Sequence, residues 1–209
     1  MAKKALAVIS FGTTYPEARR AIEILERRLA QAMPNHDFYR AFTSQMVIRK
    51  IEREEGIVIP NPAELMEQLR EKGYEEVVCQ SLHVIPGIEY EKMCRQIRQA
   101  AGNMCVRIGK SMLYSHEDYV ETCKALLSEM PELKADEAFV YMGHGTEHMV
   151  NAAYSQAENT FRYLGAERVY VGTVEGFPEL DYICKRLKAH NVRKVWLAPF
   201  MIVAGDHAQ

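Results

Sequence analysis

No stretch of this 209-residue chain approaches the roughly 20 consecutive apolar residues needed to cross a bilayer. The opening MAKKALAVIS joins a lysine pair to an apolar run, yet the run ends at Phe11-Gly12 and no small-residue cleavage site follows, so it does not read as a secretory signal. The expected compartment is the cytoplasm. A basic balance is missing too: the net charge of -2 and the pI near 6.4 argue against nucleic acid or an anionic membrane as partner. The five cysteines, Cys79, Cys94, Cys105, Cys123 and Cys184, are odd in number and contain no C-x-x-C pair, which fits reduced, mostly buried thiols better than a disulfide framework or a structural zinc site. Neither G-x-G-x-x-G nor a P-loop lysine motif is present, which disfavours a nucleotide enzyme. With 48% hydrophobic residues the chain can still build a packed core, so small-molecule chemistry in a globular protein is the expectation.

What is present is an alternation of apolar runs and helical periodicity. Lys4 to Ser10 is a continuous apolar run, the pattern of a parallel strand covered on both faces. Thr14-Tyr15-Pro16-Glu17 has capping-box spacing with a proline near the first turn and predicts a helix carrying Ile22, Leu25 and Leu29 to a stop at Pro34. A strand at Asp37 to Phe42 leads through Thr43-Ser44 into a helix ended by Gly56, and Asn61-Pro62-Ala63-Glu64 caps another that stops at Gly73. Strands at 76–82 and 105–108 alternate with helices at 88–101 and 117–130. The second half restarts the pattern: a strand at Ala138 to Met142, a Gly-His-Gly loop, a long helix at 147–164, a strand at 168–174, a helix opened by Pro178 and a strand at 194–200. Such alternation predicts an α/β fold of parallel sheets flanked by helices.

The two halves align as an internal repeat. Ser10-Phe11-Gly12-Thr13 lies against Gly143-His144-Gly145-Thr146, the segment around Thr43-Ser44 against Val174-Glu175, and Pro86-Gly87-Ile88-Glu89 against Ala204-Gly205-Asp206-His207. Two pseudo-symmetric domains are therefore expected, residues 1–131 and 132–209, facing each other across a cleft. After Glu89 the first half runs on to Met130, whereas only two residues follow His207. The second domain is expected to be truncated, lacking a closing helix, strand and helix.

Ligands of open parallel α/β sheets bind beyond the carboxyl ends of the strands. His144, Glu175 and His207 all fall there, on successive strands of the second half. Two imidazoles and a carboxylate suit a borderline divalent ion such as cobalt, nickel, iron or zinc, and suit magnesium or calcium poorly. The matching positions of the first half are Phe11, Ser44 and Glu89, so only one half carries the ligand set.

The motifs VISFGTTY, YRAFTSQMVIRK, QSLHVIPGIEYEK, YMGHGTEH, VGTVEGFPELD and MIVAGDHA together resemble the anaerobic cobalt chelatases, which insert Co2+ into sirohydrochlorin during cobalamin synthesis. The resemblance runs in order along nearly the whole chain. It implies a ferrochelatase-like fold with a tetrapyrrole cleft between two α/β domains, and metal ligation by the histidine of the Gly-His-Gly motif, the glutamate of V-E-x-x-P and the histidine of A-G-D-H, here His144, Glu175 and His207. Sirohydrochlorin and Co2+, the latter as substrate metal, are the implied partners, with no organic cofactor. Family members continue beyond A-G-D-H, so this chain departs from the pattern at its end.

Metal insertion displaces two pyrrole N-H protons, so a site that holds an ion loosely and accepts protons is required. Neutral imidazole does both, with an ordinary pKa of about 6.5. His144 and His207 are thus expected to bind Co2+ and act as bases, with Glu175 completing the set and Glu89 as a proton acceptor from the opposite half. For the macrocycle's carboxylates, helix N-termini after Thr13, Ser44 and Gly145 offer N-H groups, and Arg40 or Arg49-Lys50 offer charge; Phe11, Met46, Met93, Met142, Met149 and Met201 are candidates for the apolar walls. His83 is a candidate to orient Glu89. Insertion of iron or nickel, and a metal or haem carrier without turnover, are the alternatives. Homo-oligomer formation is left open by the residues.

Overall fold

The computed structural model describes residues 2–203. Two compact units divide the chain, Met1–Ser111 and Met112–Gln209. Seven strands and seven α-helices are distributed between them among the described residues.

In the first unit, β1 (Lys4–Ser10), β2 (Asp37–Phe42), β3 (Glu76–Ser81) and β4 (Cys105–Ile108) form one parallel sheet in the order β2-β1-β3-β4. The apolar run of β1 is buried along both faces, as its lack of alternation predicts. On one face Ala5, Ala7 and Ile9 pack with Leu65, Met66 and Leu69 of α3 (Pro62–Glu71) and with Met93, Cys94 and Ile97 of α4 (Ile88–Ala100). The helix ends follow their sequence signals. Ser44 caps α2 (Gln45–Glu55) by accepting from the Val47 N-H, Gly56 ends it in the left-handed region, and Asn61 with Glu64 closes a capping box on α3. The capping box expected at Thr14 does not form. Thr13 Oγ1 instead accepts the Tyr15 N-H, and α1 (Pro16–Ala32) starts one residue later with Tyr15 as an uncapped N-cap.

In the second unit, β5 (Glu137–Gly145), β6 (Val169–Glu175) and β7 (Lys194–Pro199) form a parallel sheet in the order β6-β5-β7. This repeats the order β2-β1-β3 of the first unit, as the repeat predicts. The helix after β4, α5 (His116–Ser128), packs on α6 (Ala152–Tyr163) of the second unit. A division after residue 131 would have left α5 with the first unit instead. Ala138 and Val140 of β5 bury one face against Ile183 and Leu187 of α7 (Leu180–Ala189), while Tyr141 on the other face stacks on Phe161 of α6 at 5.5 Å.

The edge strand β6 is wrapped by a polar cluster. Glu158 of α6, buried, accepts the Val171 N-H at 2.9 Å and pairs with Arg162 and Arg186, and the Arg186 guanidinium lies 4.7 Å from the centre of the Tyr170 ring. Side chains thus meet around a backbone edge that would otherwise offer unpaired groups to another strand. Tyr170 OH in turn bonds the Nδ1 of His190, an exposed residue in the turn that ends α7. No helix among the described residues is long and apolar enough to cross a membrane. All five cysteines are free; Cys79, Cys94 and Cys123 are buried, Cys184 is half-buried and Cys105 is exposed, in line with mostly buried thiols.

Candidate metal centre

His144 does not sit in a loop. Strand β5 continues through it, and the β5–β6 ladder closes with Gly145 opposite Glu175. Parallel pairing therefore brings the backbones of the two predicted ligands to one strand end. Glycine is required on both sides of the imidazole. A Cβ at Gly143 would fall 2.1 Å from Tyr154 Cε1, and one at Gly145, whose φ is +84°, would fall 1.4 Å from the Glu175 carbonyl oxygen.

The same geometry recurs at the end of β1. Phe11 occupies the place of His144, and Gly12 has φ +86° where Gly145 has +84°. Phe11 is exposed, Thr13 and Ser44 are buried, and Ser44 N-H donates to the Phe11 carbonyl at 3.3 Å. The repeat positions inferred from sequence are thereby matched in backbone conformation at this turn.

His144 Nδ1 lies 3.0 Å from the Gly145 carbonyl and 4.0 Å from Glu175 Oε2. A carbonyl oxygen can only accept, so the first contact selects the Nδ1-H tautomer and gives Nε2 the lone pair, the arrangement common to metal-ligating imidazoles. Both side chains are about half exposed, at 50% and 58%. The pair is accessible and sets one imidazole beside one carboxylate.

Three further residues hold this turn. Tyr154 of α6 lies buried beneath Gly143; burial pushes its phenol up, while hydrogen bonds with the Gly145 and His144 backbone oppose the shift. Thr173, also buried, donates from both N-H and Oγ1 to the Pro178 carbonyl, closing the loop that carries Glu175. Asn151 accepts the Thr146 N-H at 3.0 Å and donates to the Phe177 carbonyl. None of the three stood out in the sequence. Asn151 was hidden because one helix was expected from residue 147; a 3-10 turn, Met149–Asn151, precedes α6, and asparagine's preference for helix ends over interiors was the available signal. Likewise α7 begins at Leu180 and not at Pro178, because the Pro178 carbonyl is held by Thr173.

His207, the third predicted ligand, lies outside the described residues, and among those described no group of three or more potential ligands forms. The chain leaving β7 is nevertheless fastened beside β5, since the Phe200 N-H donates to the Met142 carbonyl at 2.7 Å. In the first unit Glu89 lies 3.5 Å from Lys92 Nζ, which also donates to the Thr43 carbonyl. His83 does not orient Glu89: it bonds Ser81 Oγ at 2.9 Å and Thr43 Oγ1 at 3.4 Å, and burial lowers its pKa to about 4. Arg40, a candidate carboxylate donor, is committed to Glu26, and Met93 is in the core. Met46 and Met149 are strongly exposed and stay available as apolar walls.

Two parallel sheets of matching strand order, each flanked by helices, bring an imidazole and a carboxylate to one strand end, and this fold is shared with solved chelatase structures. The solved structure of SirB from Bacillus subtilis with Fe3+ superposes with a TM-score of 0.71 at 11% identity, covering 99% of this chain and 79% of that one, a likeness of fold. Residues 4–209 match the family described as cobalt chelatase (CbiK), and the chain belongs to that family. It is 43% identical to the sirohydrochlorin cobaltochelatase of Salmonella typhimurium over 99% of this chain and 78% of that protein. It is 31% identical to the sirohydrochlorin cobaltochelatase CbiKC of Nitratidesulfovibrio vulgaris, over 100% of this chain and 74% of that one.

Proposed function

We propose that the protein inserts Co2+ into sirohydrochlorin, the step that commits this macrocycle to cobalamin synthesis, and that His144, Glu175 and His207 hold the incoming ion. The observation that carries this reading is the Gly-flanked imidazole 4.0 Å from a carboxylate at adjoining parallel strand ends, in a cobalt chelatase family chain. The names of the two relatives supply the substrate.

Insertion is an exchange. The ring nitrogens form bonds to cobalt and give up two protons, while the protein's bonds to cobalt break. An imidazole cannot hold a metal and a proton on the same lone pair, so the ion's departure from His144 Nε2 frees the base that the pyrrole proton needs. Glu175 and His207 serve in the same way, and Glu89 is the proposed acceptor from the first unit. The negative charge of Glu175 favours loading of a dication without the closed, four-ligand shell of structural sites, which would hold it too firmly. Unpaired thiols throughout support a reducing compartment, the cytoplasm.

The test is steady-state metal insertion into sirohydrochlorin with Co2+, Ni2+ and Fe2+, followed by the absorbance change of the macrocycle. Many turnovers with Co2+ and a fall of about 100-fold or more in His144→Ala are expected, given the usual size of losses at groups acting in proton transfer. Stoichiometric binding with no metallated product would make the protein a carrier. Preference for iron or nickel would reassign the metal but leave the reaction class intact.

A further inference from the structure

The Asn151 side chain bridges two loops that each begin just beyond a proposed ligand. Its Oδ1 accepts the N-H of Thr146, two residues after His144, at 3.0 Å; its Nδ2 donates to the carbonyl of Phe177, two residues after Glu175. The backbone ladder that holds these strands together stops at Gly145–Glu175, so beyond that pair no β5–β6 ladder bond fixes the distance between the loops. Gly176 completes the fit, with φ +91° and a would-be Cβ 3.2 Å from Asn151 Nδ2, so the loop backbone comes up close against the amide.

We infer that Asn151 is a positioning residue of the metal centre: its amide sets the spacing between His144 and Glu175 and thereby the affinity for the incoming ion. The inference rests on the proposed ligand roles of those two residues. One primary amide is the side chain that serves both ends, since it accepts at one atom and donates at the other. Aspartate keeps the acceptor but cannot donate to Phe177, and alanine does neither. The chemistry predicts a particular kinetic signature. Loss of Asn151 removes none of the groups that bind cobalt or take the protons and alters only the spacing of two of them, so the KM for Co2+ rises by a larger factor than kcat at saturating cobalt falls, while the KM for sirohydrochlorin holds.

A double-mutant cycle in the full protein separates this from general loosening. Asn151→Ala is expected to raise the KM for Co2+ by about tenfold, the lower end of the cost of losing a group that orients a metal ligand. In a Glu175→Gln background, where the spacing no longer matters, the same substitution should change it less than about twofold, the signature of coupled residues. If Glu175→Gln raises the KM and Asn151→Ala does not, or if the two effects multiply, Asn151 has no positioning role and the ligand assignment stands. If Glu175→Gln leaves the KM for Co2+ unchanged, the ligand assignment itself fails and the inference goes with it. Should the alanine variant not fold, as judged by its melting curve, Asn151→Ser is carried through the same cycle with the same deciding outcomes.

Discussion

Gly145→Ala should abolish most cobalt insertion while leaving the protein folded. A Cβ at this position would stand 1.4 Å from the Glu175 carbonyl oxygen, where real Cβ atoms approach no closer than 3.0 Å, so one of the two must retreat by about 1.6 Å. The partner is backbone and cannot rotate aside. The displacement lands on the residue proposed as a ligand, and misplacement of a reacting group by about 1 Å commonly costs about 100-fold in rate. A second cost comes from the backbone itself, since φ +84° disfavours alanine by about 1 to 2 kcal/mol. Gly165→Ala separates the two. Its φ is +86° and nothing lies within 4 Å of its would-be Cβ, so it bears the conformational cost alone. Gly165→Ala should therefore show the conformational cost alone in thermal melts and Gly145→Ala a larger loss, while kcat/KM for cobalt insertion falls by about 100-fold only in Gly145→Ala. Activity of Gly145→Ala within threefold of the parent protein, or an equal loss in Gly165→Ala, would refute the geometry argued for this turn.

Three other outcomes follow from the side chains described. Burial lowers the His83 pKa to about 4 from an ordinary 6.5; the unfolded chain then binds the extra proton between those values, so stability falls as pH drops through this window, by about 3 kcal/mol at most, and urea titrations of His83→Asn should lose that slope. Glu158→Ala leaves Arg186 without its carboxylate and the Val171 N-H without its acceptor, a loss of about 3 to 5 kcal/mol at the denaturant midpoint, whereas Glu121→Ala, which breaks the exposed Lys124 pair, should cost about 0.5 kcal/mol or less. Tyr154→Phe keeps the ring that fills the space under Gly143 and removes the hydroxyl bonded at the His144–Gly145 backbone; melting should change little, the loss of one such bond being about 1 kcal/mol, and insertion kinetics should reveal the looser imidazole.

The strands were legible because their signals are local. β1, β2 and β4 fall where the sequence places them, each an apolar or alternating run between turn residues. Helix caps built from one side chain and the next turn, at Ser44 and Asn61, were equally readable. What failed depended on partners distant in sequence. His144 looked like a loop residue because glycine on both sides lowers strand propensity, yet pairing with β6 makes it strand. The start of α6 was misplaced because apolar periodicity does not distinguish a 3-10 turn from an α-helical one, and α5 was given to the wrong neighbours because periodicity shows that a helix has a buried face but not what covers it. The His144–Glu175 juxtaposition was anticipated from strand-end placement, while its supports, Tyr154, Thr173 and Asn151, act through hydrogen bonds and close approach that no spacing rule encodes.

The two matching turns differ in what secures them. At the end of β1 the tie beyond the ladder is backbone to backbone, Ser44 N-H to the Phe11 carbonyl. At the end of β5 it is a side chain, Asn151. A backbone tie survives every substitution except proline and so cannot be adjusted by mutation, whereas a side-chain tie can be lengthened, shortened or removed by a single codon change. If His144 and Glu175 are ligands as proposed, the duplicated architecture places its heritable tuning screw in the unit that carries them, where ions of different radius are accommodated without redesigning the sheet.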